Sequence, residues 1–455
     1  MSLGARKVHF IGIGGAGMSA IAKVLLERGT DVSGSDLKGS RAMTVLGAMG
    51  ATVHVGHDPA HMEGADLVIV SAAIPEANPE LARARAGDIP VMGRGEALAA
   101  VLEDHRSVIV AGTHGKTTTT SMIVSVLRSA GLDPTYLVGG GLNDAGTNAR
   151  SGSGDLAVAE SDESDGSFLL LRPSVAVITN IEMDHVDHWA SLTDLTDAFD
   201  GFMAGTSEDG TLVVPAGGDI EARARATGRT VLTFGSGGHV QADSVRSSGV
   251  MTSFTLVTPD GDGSVELQAI GDHNIANALA AGAAALAVGV AIGDVVSGLG
   301  SFRGVERRFD LRGEVAGITV VDDYAHHPTE VKATLAAARS GDWHRVIAVF
   351  QPHRYSRTAM LYEAFGAAFV DADRVVVTDV YGAGEEAVPG ITGKLISDAV
   401  CSYVPGRSVA YLPHRSDVLA YLEATARDGD LVMTLGAGDV TSLGGELLAR
   451  LGAPQ

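Results

Sequence analysis

Short apolar runs alternate with amphipathic stretches along much of this 455-residue chain. The run KVHFIGIG at 7–14 has the length of a buried strand, and MSAIAKVLLERG at 18–29 has the spacing of a helix ended by Gly29. Further strand-like runs follow at DVSGSD (31–36) and ADLVIVSAAI (65–74). Strands that alternate with helices in this way predict a mostly parallel sheet covered by helices.

The same alternation restarts further along the chain, at RSVIVAGTHGKTTTTSMIVSVLRSAG and again at HRVIAVFQPHRYSR, DRVVVTDVYGAGE and DLVMTLGAGD. We therefore predict α/β architecture in three domains, over 1–105, 106–308 and 309–455. Between Gly205 and Gly263 the strand-like runs are short and rich in Gly and Asp, which predicts a peripheral elaboration.

Composition narrows the class of protein. A formal net charge of −22 argues against a nucleic-acid partner, which requires a basic surface. The single cysteine, Cys401, excludes an intrachain disulfide and fits a reducing compartment. The most apolar stretch, Ala278 to Gly293, is too short to span a bilayer and predicts a buried helix. With no visible signal pattern, we expect a cytoplasmic protein without membrane insertion, either a monomer or a homodimer.

The first glycine-rich loop predicts a nucleotide site. Gly12, Gly14 and Gly17 fit the pattern G-x-G-x-x-G between a strand and a helix, and Asp36 stands 19 residues after Gly17 at the end of the next strand. This arrangement is typical of a nucleoside diphosphate held at a helix N-terminus, with the acid accepting from a ribose hydroxyl. The pattern does not choose between NAD and a UDP-sugar, because both carry the same diphosphate.

The second loop, AGTHGKTTTT at 111–120, is a shortened form of G-x-x-x-x-G-K-[ST]. It has the expected context of an apolar strand before it and an amphipathic helix after it. Lys116 is the sole lysine between Lys38 and Lys332, which makes a chance match less credible. We expect this loop to bind ATP, with Lys116 neutralising phosphate charge and the Thr117 hydroxyl facing a magnesium ion.

Two further strands end in groups that suit divalent metals. DLAVAE ends at Glu160, and SVAVITNIEMDH carries Asn180, Asp184 and His185 at its end. Carboxylate and imidazole beside a phosphate loop are typical of a metal that bridges phosphates. We interpret four neighbouring side chains as solvated or structural groups and not as metal ligands: Asp162, Glu163, Asp165 and His188.

Several long motifs together resemble the Mur ligase family, to which folylpolyglutamate synthetases are related. They are HFIGIGGAGMSAIA, GTHGKTTT, TNIEMDHVDHW, GDHNIANALAA, FRGVERRFD, VVDDYAHHPTE and FQPHRYSRT, and they run the whole length of the chain. The resemblance implies a Rossmann-like N-terminal domain for a UDP-sugar, a central P-loop ATPase-like domain for ATP, and a Rossmann-like C-terminal domain for an amino acid.

The reaction that the resemblance implies is amide synthesis in two steps. ATP phosphorylates a carboxylate, and an amine then attacks the acyl phosphate. The form of the first loop is most similar to the branch that joins L-alanine to UDP-N-acetylmuramate in peptidoglycan precursor synthesis, with ATP and Mg²⁺ (or Mn²⁺) as cofactors. Two alternatives stay open at this point: a Mur-type ligase that adds another amino acid or peptide, and a nucleotide-sensing or NAD-linked protein.

The resemblance also implies roles for individual residues. Catalytic roles fall to Lys116, His185, Arg308 and Asp323, and metal ligation to Thr117, Glu160 and His185. ATP contacts are expected from Gly112, Thr113, Gly115, Lys116, Thr117, Thr118, His273, Asn277, Arg308, Asp323 and His326. UDP-sugar contacts are expected from Gly14, Gly15, Ala16, Gly17, Asp36, His57, Ser71, Arg94 and His114, and amino-acid contacts from His353, Arg354 and Arg357. Some relatives place a carbamylated lysine on a metal, and the absence of lysine from 117 to 331 implies that this chain does not.

Overall fold

The computed structural model describes residues 4–143, 146–184 and 188–452. These residues form four sheets, three of them wholly or mostly parallel and flanked by helices, which confirms the predicted α/β class. By internal contacts the chain divides into two compact units. One holds the residues up to 244 together with 254–265 and 276–303, and the other holds 245–253, 266–275 and the residues from 304 onward.

The first sheet has five parallel strands: β1 (Lys7–Ile11), β2 (Asp31–Asp36), β3 (Thr52–Val55), β4 (Leu67–Val70) and β5 (Val91–Gly93). Their order is β3-β2-β1-β4-β5, which matches the first five strands of the doubly wound dinucleotide-binding fold and places the ligand crevice beyond the carboxyl ends of β1 and β4, where the strand order reverses. The associated helices are α1 (Ala16–Glu27), α2 (Arg41–Ala48), the 3₁₀ helix Pro59–Met62, α3 (Pro79–Ala86) and α4 (Arg94–Leu102).

The second sheet has the order β12-β11-β10-β6-β9-β7-β8 and is parallel except at β8. Its strands are β6 (Arg106–Ala111), β7 (Thr135–Leu142), β8 (Thr147–Arg150), β9 (Leu156–Glu160), β10 (Val175–Ile178), β11 (Thr211–Pro215) and β12 (Thr230–Phe234). The helices are α5 (Lys116–Ser129), the 3₁₀ helix Ser167–Leu170, α6 (Leu192–Ala204) and α7 (Gly218–Ala226). Because β6 lies between β10 and β9, the segments that follow these three strands meet at one edge.

One continuous apolar core joins the first two sheets. It contains Val8 and Phe10 of β1, Ile109 and Ala111 of β6, and the fully buried Phe168. The last strand before the predicted boundary at residue 105 and the first strand after it therefore belong to one packed unit.

The third sheet is small and has the order β13-β14-β15, formed by β13 (Gln241–Ser248), β14 (Met251–Thr258) and β15 (Gly261–Leu267). Two helices follow it, α8 (Asp272–Ala287) and α9 (Ile292–Ser301). The prediction of a peripheral elaboration over 205–263 is therefore wrong for its first part, because β11 and β12 extend the central parallel sheet. The buried helix predicted over 278–293 begins earlier, at Asp272, and ends at Ala287.

The fourth sheet has the order β16-β17-β21-β18-β19-β20, with only β16 antiparallel to its neighbour among the described pairs. Its strands are β16 (Asp310–Val315), β17 (Ile318–Asp323), β18 (Arg345–Phe350), β19 (Arg374–Val377), β20 (Ser408–Tyr411) and β21 (Asp430–Leu435). Its helices are α10 (Pro328–Arg339), α11 (Tyr355–Ala368), α12 (Gly393–Tyr403), α13 (Arg415–Thr425) and α14 (Thr441–Leu451). Separate apolar clusters cover its two faces.

Within the described part of the chain, every helix falls short of the length and apolarity needed to cross a membrane.

Candidate active site

The first glycine loop links the end of β1 to the start of α1 and packs against the end of β2. The N–H groups of Gly12 and Ile13 both donate to the Ser35 carbonyl, at 2.8 and 3.0 Å. The N–H of Gly14 donates to Asp36 Oδ2 at 3.0 Å, and a Cβ at Gly14 would lie 2.9 Å from that same oxygen. Glycine is needed here because Asp36 is held directly against the loop backbone.

Two other predicted UDP-sugar residues, Ser71 and Arg94, lie near this loop. A Cβ added at Gly12 would lie 3.1 Å from the Cβ of Ser71, and one added at Gly17 would lie 3.3 Å from Arg94 Cδ. The guanidinium of Arg94 donates to Asp165 Oδ2 at 2.9 Å and to the Ser167 hydroxyl at 3.2 Å. Arg94 therefore connects the first loop to the acidic segment that follows β9.

The short loop also depends on its glycines. Gly112 has a φ of +131°, and a Cβ there would collide with the Thr179 hydroxyl. Gly115 has a φ of +81° and stands immediately before α5, where a Cβ would collide with Asn277 Oδ1. At both positions the backbone has a positive φ and a neighbouring group lies too close for a Cβ. Any residue other than glycine would therefore distort the loop.

Lys116 folds back onto its own loop and onto a buried carboxylate. Its Nζ donates to the Gly112 carbonyl at 2.6 Å, to the Thr113 carbonyl at 3.2 Å and to Glu163 Oε2 at 2.9 Å. Asp162 lies 3.8 Å away. Burial alone lowers the pKa of the Lys116 ammonium, but the carboxylates of Glu163 and Asp162 outweigh it and raise that pKa. The lysine is therefore charged.

Glu163 corrects our interpretation of the sequence, which grouped it with ordinary solvated acids. Its side chain is fully buried, with 0% exposure, and it forms the shorter of the two carboxylate contacts to Lys116. The segment SDESD after β9 has no regular secondary structure, so no periodic pattern shows which of its acids is buried. Only the packing of the folded chain distinguishes Glu163 from its acidic neighbours.

Glu160 and Thr117 are brought together as predicted. A hydrogen bond from the Thr117 hydroxyl lowers the pKa of the Glu160 carboxyl, but the opposing effect of burial is larger, and the net pKa is raised. Among the described residues, Glu160 Oε2 is buried without a hydrogen-bond partner. A buried carboxylate oxygen with an unsatisfied lone pair beside a threonine hydroxyl is a donor set that fits a hard divalent cation.

The segment after β10 supports the short loop from the other side. The Asn180 side chain accepts from the His114 N–H at 2.9 Å and donates to the His114 carbonyl at 3.0 Å. The His114 ring lies 3.5 Å from Glu182. Asn277 on α8 accepts from the Thr119 hydroxyl at 3.2 Å, so this predicted ATP residue packs against α5, the helix that follows the short loop. His185 lies outside the described residues.

In the C-terminal unit, several residues expected to contact ATP gather around the end of β17. Asp323 accepts from the N–H groups of Phe309 and Ala325 at 2.7 and 2.8 Å. Burial raises the pKa of Asp323 to about 6, against the opposing effect of the Arg308 charge. Burial and, to a smaller extent, the Arg308 charge together lower the pKa of His273 to about 4. Arg308 lies 3.6 Å from Glu330 on α10.

The three residues predicted for the amino acid follow β18, the neighbour of β21. Arg354 has a φ of +68°, which is uncommon for a non-glycine residue, and its N–H donates to the Tyr381 carbonyl at 2.9 Å. Arg357 lies 3.4 Å from His353 Nδ1. Burial and nearby positive groups lower the pKa of His353 to about 4, so this ring is neutral near pH 7.

The ring of His353 also lies 5.7 Å from that of His326, which was predicted at the nucleotide. The loops after β17 and β18 therefore meet at one edge of the fourth sheet. Positive φ values at Arg307 and Phe309, of 61° and 48°, occur in the same region. Strained backbone of this kind is concentrated at functional sites.

Three family models match successive parts of this chain. The Mur ligase family catalytic-domain model matches residues 7–106, the Mur ligase middle domain matches 110–285, and the Mur ligase glutamate ligase domain matches 307–438. The chain belongs to the Mur ligase family.

Relatives define the branch more closely. A UDP-N-acetylmuramate–L-alanine ligase from Rubrobacter xylanophilus is 50% identical over 450 residues, covering 98% of this chain and 100% of the relative. A ligase of the same name from Renibacterium salmoninarum is 46% identical over 455 residues, covering 98% and 96%. The crystal structure of UDP-N-acetylmuramate–alanine ligase from Thermotoga maritima matches with a TM-score of 0.83 and 30% identity, covering 98% of both chains.

Proposed function

We propose that this chain joins L-alanine to the lactyl carboxylate of UDP-N-acetylmuramate, consuming ATP and releasing ADP and phosphate in peptidoglycan precursor synthesis. The observation that carries the proposal is full-length identity of 46–50% to ligases of that name. The geometry supports it, because the chain has two glycine loops that each lead from a strand into a helix, and the second carries Lys116 beside a buried carboxylate. A single cysteine, Cys401, fits a cytoplasmic location.

We assign the three sequence domains to three substrates. Residues 1–105 carry the first loop and bind the UDP-sugar through Gly14, Gly15, Ala16, Gly17 and Asp36, with His57, Ser71 and Arg94 beside them. Residues 106–308 carry the short loop and bind ATP. Residues 309–455 carry His353, Arg354 and Arg357, and an arginine pair suits the carboxylate of an amino acid.

The chemical task is to make a carboxylate electrophilic. An ionised carboxylate repels nucleophiles and is a poor acyl donor, whereas the acyl phosphate, a mixed anhydride, has phosphate as a good leaving group. The chain supplies charge neutralisation and alignment rather than a side-chain nucleophile. Lys116 would exchange its contacts with Glu163 and the loop carbonyls for phosphate oxygens, and Arg308 would offset charge that develops on them.

Magnesium fits the second loop on the evidence of this structure. Thr117 and Glu160 would hold it, with His185 as a further proposed ligand. When bound, the ion would neutralise phosphate charge and orient the phosphoryl group for in-line transfer.

The proposal is tested by phosphate release. The wild-type protein, ATP, Mg²⁺ and UDP-N-acetylmuramate are combined with single amino acids and with peptides, each in turn. We expect L-alanine to support the highest kcat/KM. A preference for another amino acid or for a peptide would assign the chain to a different ligase reaction. Tight NAD binding without UDP-sugar binding would overturn the proposal altogether.

A further inference from the structure

A fully buried carboxylate lies behind the first loop and has no part in the roles assigned so far. Glu80 has 0% exposure and lies in the first turn of α3, whose N-terminus is capped by Asn78. Its Oε1 accepts from the Asp58 N–H and from His61 Nδ1, both at 3.1 Å. This oxygen therefore ties α3 to the segment that follows β3.

The second oxygen of Glu80 contacts side chains of β1, β2 and the segment that follows β3. Oε2 accepts from the hydroxyl of Ser35 and lies 3.1 Å from His57 Nδ1. His9 Nε2 lies 3.6 Å away from the same oxygen. His57 Nδ1 is also 2.9 Å from the Ser35 hydroxyl oxygen. Ser35, His57 and Glu80 thus form a closed triangle of polar contacts.

The triangle fixes the orientation and the protonation of the His57 ring. Burial by itself raises the pKa of Glu80, but the contacts with His9 and Ser35 outweigh it and lower that pKa to about 2, so the carboxylate is ionised and can only accept. His57 Nδ1 must therefore carry the proton. In the neutral ring, Nε2 is then an acceptor, and the His57 hydrogen bonds within the described residues are made through Nδ1.

The same residues contact the first loop through the backbone. The Ser35 carbonyl accepts from Gly12 and Ile13. Gly56, which precedes His57, donates its N–H to the Asp36 carbonyl at 2.7 Å. His57 is 8% exposed in its side chain. The backbone that carries His57 is thus held against Asp36, the acid that ends β2.

We propose that Glu80 is a positioning residue for nucleoside recognition at the first loop, acting through His57. It holds Nδ1 inward, so that Nε2 accepts a hydrogen bond from a hydroxyl or imide N–H of the uridine. Phosphate oxygens carry no donor at neutral pH, so this acceptor recognises the nucleoside and not the diphosphate. The inference rests on the proposed function, since it takes the ligand of the first loop to be a UDP-sugar.

The test compares calorimetric binding of UDP-N-acetylmuramate to wild type, Glu80→Gln, His57→Ala and the double variant. Glutamine keeps the size of Glu80 but replaces one accepting oxygen with an N–H₂ donor, which disfavours the Nδ1–H form of His57. We expect the dissociation constant to rise about tenfold in each single variant. We expect the double variant to bind no more weakly than His57→Ala alone. The KM for ATP should be unchanged.

Two control variants separate positioning from folding. His61→Ala removes a donor to the other oxygen of Glu80, and Glu76→Gln removes an exposed partner of Arg85 just before α3. Both should bind the UDP-sugar as wild type does, whatever their melting temperatures. Equal loss of binding in His61→Ala and Glu80→Gln would show that Glu80 is only structural.

The remaining outcomes are also decisive. Wild-type affinity in Glu80→Gln, or additive losses in the double variant, would overturn the inference while leaving the proposed function intact. If the wild type itself does not bind UDP-N-acetylmuramate, the proposed function fails, and the inference fails with it. Should Glu80→Gln not fold, nitrogen-15 NMR of the His57 ring in the wild type decides. Protonation at Nδ1 alone supports the inference, and a proton on Nε2, with or without one on Nδ1, contradicts it.

Discussion

The two glycine loops of this chain have the same setting in the fold, but the side chains beside them carry opposite charges. Each follows the end of a parallel strand and leads into a helix, α1 in one case and α5 in the other. The first loop holds a carboxylate, Asp36, against the N–H of Gly14. The short loop holds an ammonium, Lys116, which is paired with the buried Glu163. The first loop therefore presents an acceptor and the second a cation.

This difference shows why a glycine pattern alone does not identify a ligand. A carboxylate at a loop would repel a phosphate at close range, but it accepts well from a ribose hydroxyl. A lysine at a loop neutralises phosphates and serves phosphoryl transfer. In the proposed roles, the backbone of each loop would hold a phosphate group, and the charged side chain beside it would decide whether the ligand is only bound or is also activated. Four changes test this comparison.

The largest effect is expected at the short loop. Lys116→Ala removes the charge that would neutralise ATP phosphates, so kcat should fall far more than tenfold. A tenfold loss alone corresponds to ~1.4 kcal/mol of transition-state stabilisation. Binding of UDP-N-acetylmuramate should stay near the wild-type value, as should the kinetics of the control Lys38→Ala. Turnover in Lys116→Ala above about a tenth of wild type would remove the assigned role. The readouts are steady-state phosphate release and calorimetry.

The proposed amino-acid site provides a third point of comparison, because a change there should alter the KM of neither nucleotide substrate. Arg354→Lys replaces a planar fork by a point charge and loses one of two parallel bonds to the L-alanine carboxylate. The KM for L-alanine should rise by about tenfold to a hundredfold, which corresponds to ~1.5–3 kcal/mol. The KM for ATP should change little, and the control Arg415→Lys, at an arginine that pairs with Glu446 instead, should behave as wild type. A rise confined to the KM for ATP would instead assign Arg354 to the phosphates.

A smaller effect is expected at the first loop. Asp36→Asn keeps an oxygen for the Gly14 N–H but exchanges the second oxygen for an amide donor, so a ribose hydroxyl loses a charged acceptor. The KM for UDP-N-acetylmuramate should rise about fivefold, or ~1 kcal/mol, with the KM for ATP unchanged. Asp31→Asn, at the exposed start of the same strand, is the control. An equal effect on both nucleotides would mean that the two loops are not independent.

The smallest effect concerns stability rather than rate. Glu80 has a pKa of about 2 in the folded chain, below its ordinary value of 4.5. A depressed carboxyl pKa stabilises the folded state above the ordinary value, and that contribution is lost as the pH falls toward the folded pKa. Between pH 7 and pH 4, wild type should therefore lose about 1 kcal/mol more than Glu80→Gln. Parallel melting curves for the two proteins across this range would contradict the shift.

Prediction from sequence succeeded where local pattern and covalent neighbours decide the outcome. The strands β2 and β9 end at Asp36 and Glu160, as the apolar alternation indicated. The two glycine loops connect a strand to a helix, and glycine is required there by φ and by close contact. Thr117 and Glu160 are adjacent because parallel strands deliver their carboxyl ends to one edge.

Prediction failed where the outcome depends on packing between distant segments. β11 and β12 lie in a Gly- and Asp-rich stretch, yet they extend the central sheet, since pairing with β10 compensates for weak local propensity. Glu163 and Glu80 look like ordinary acids in the chain, and burial alone distinguishes them from their neighbours.

The amino-acid sequence by itself determined the family, the order of the loops and the identity of the side chains that carry charge. It could do so because these features depend on residue types at short, regular spacings. Only the tertiary structure decided which carboxylate faces which cation, that Glu163 pairs with Lys116 and that Glu80 holds His57. Those pairings follow from burial, because a charge removed from water must be matched by whichever opposite or donating group the fold places against it.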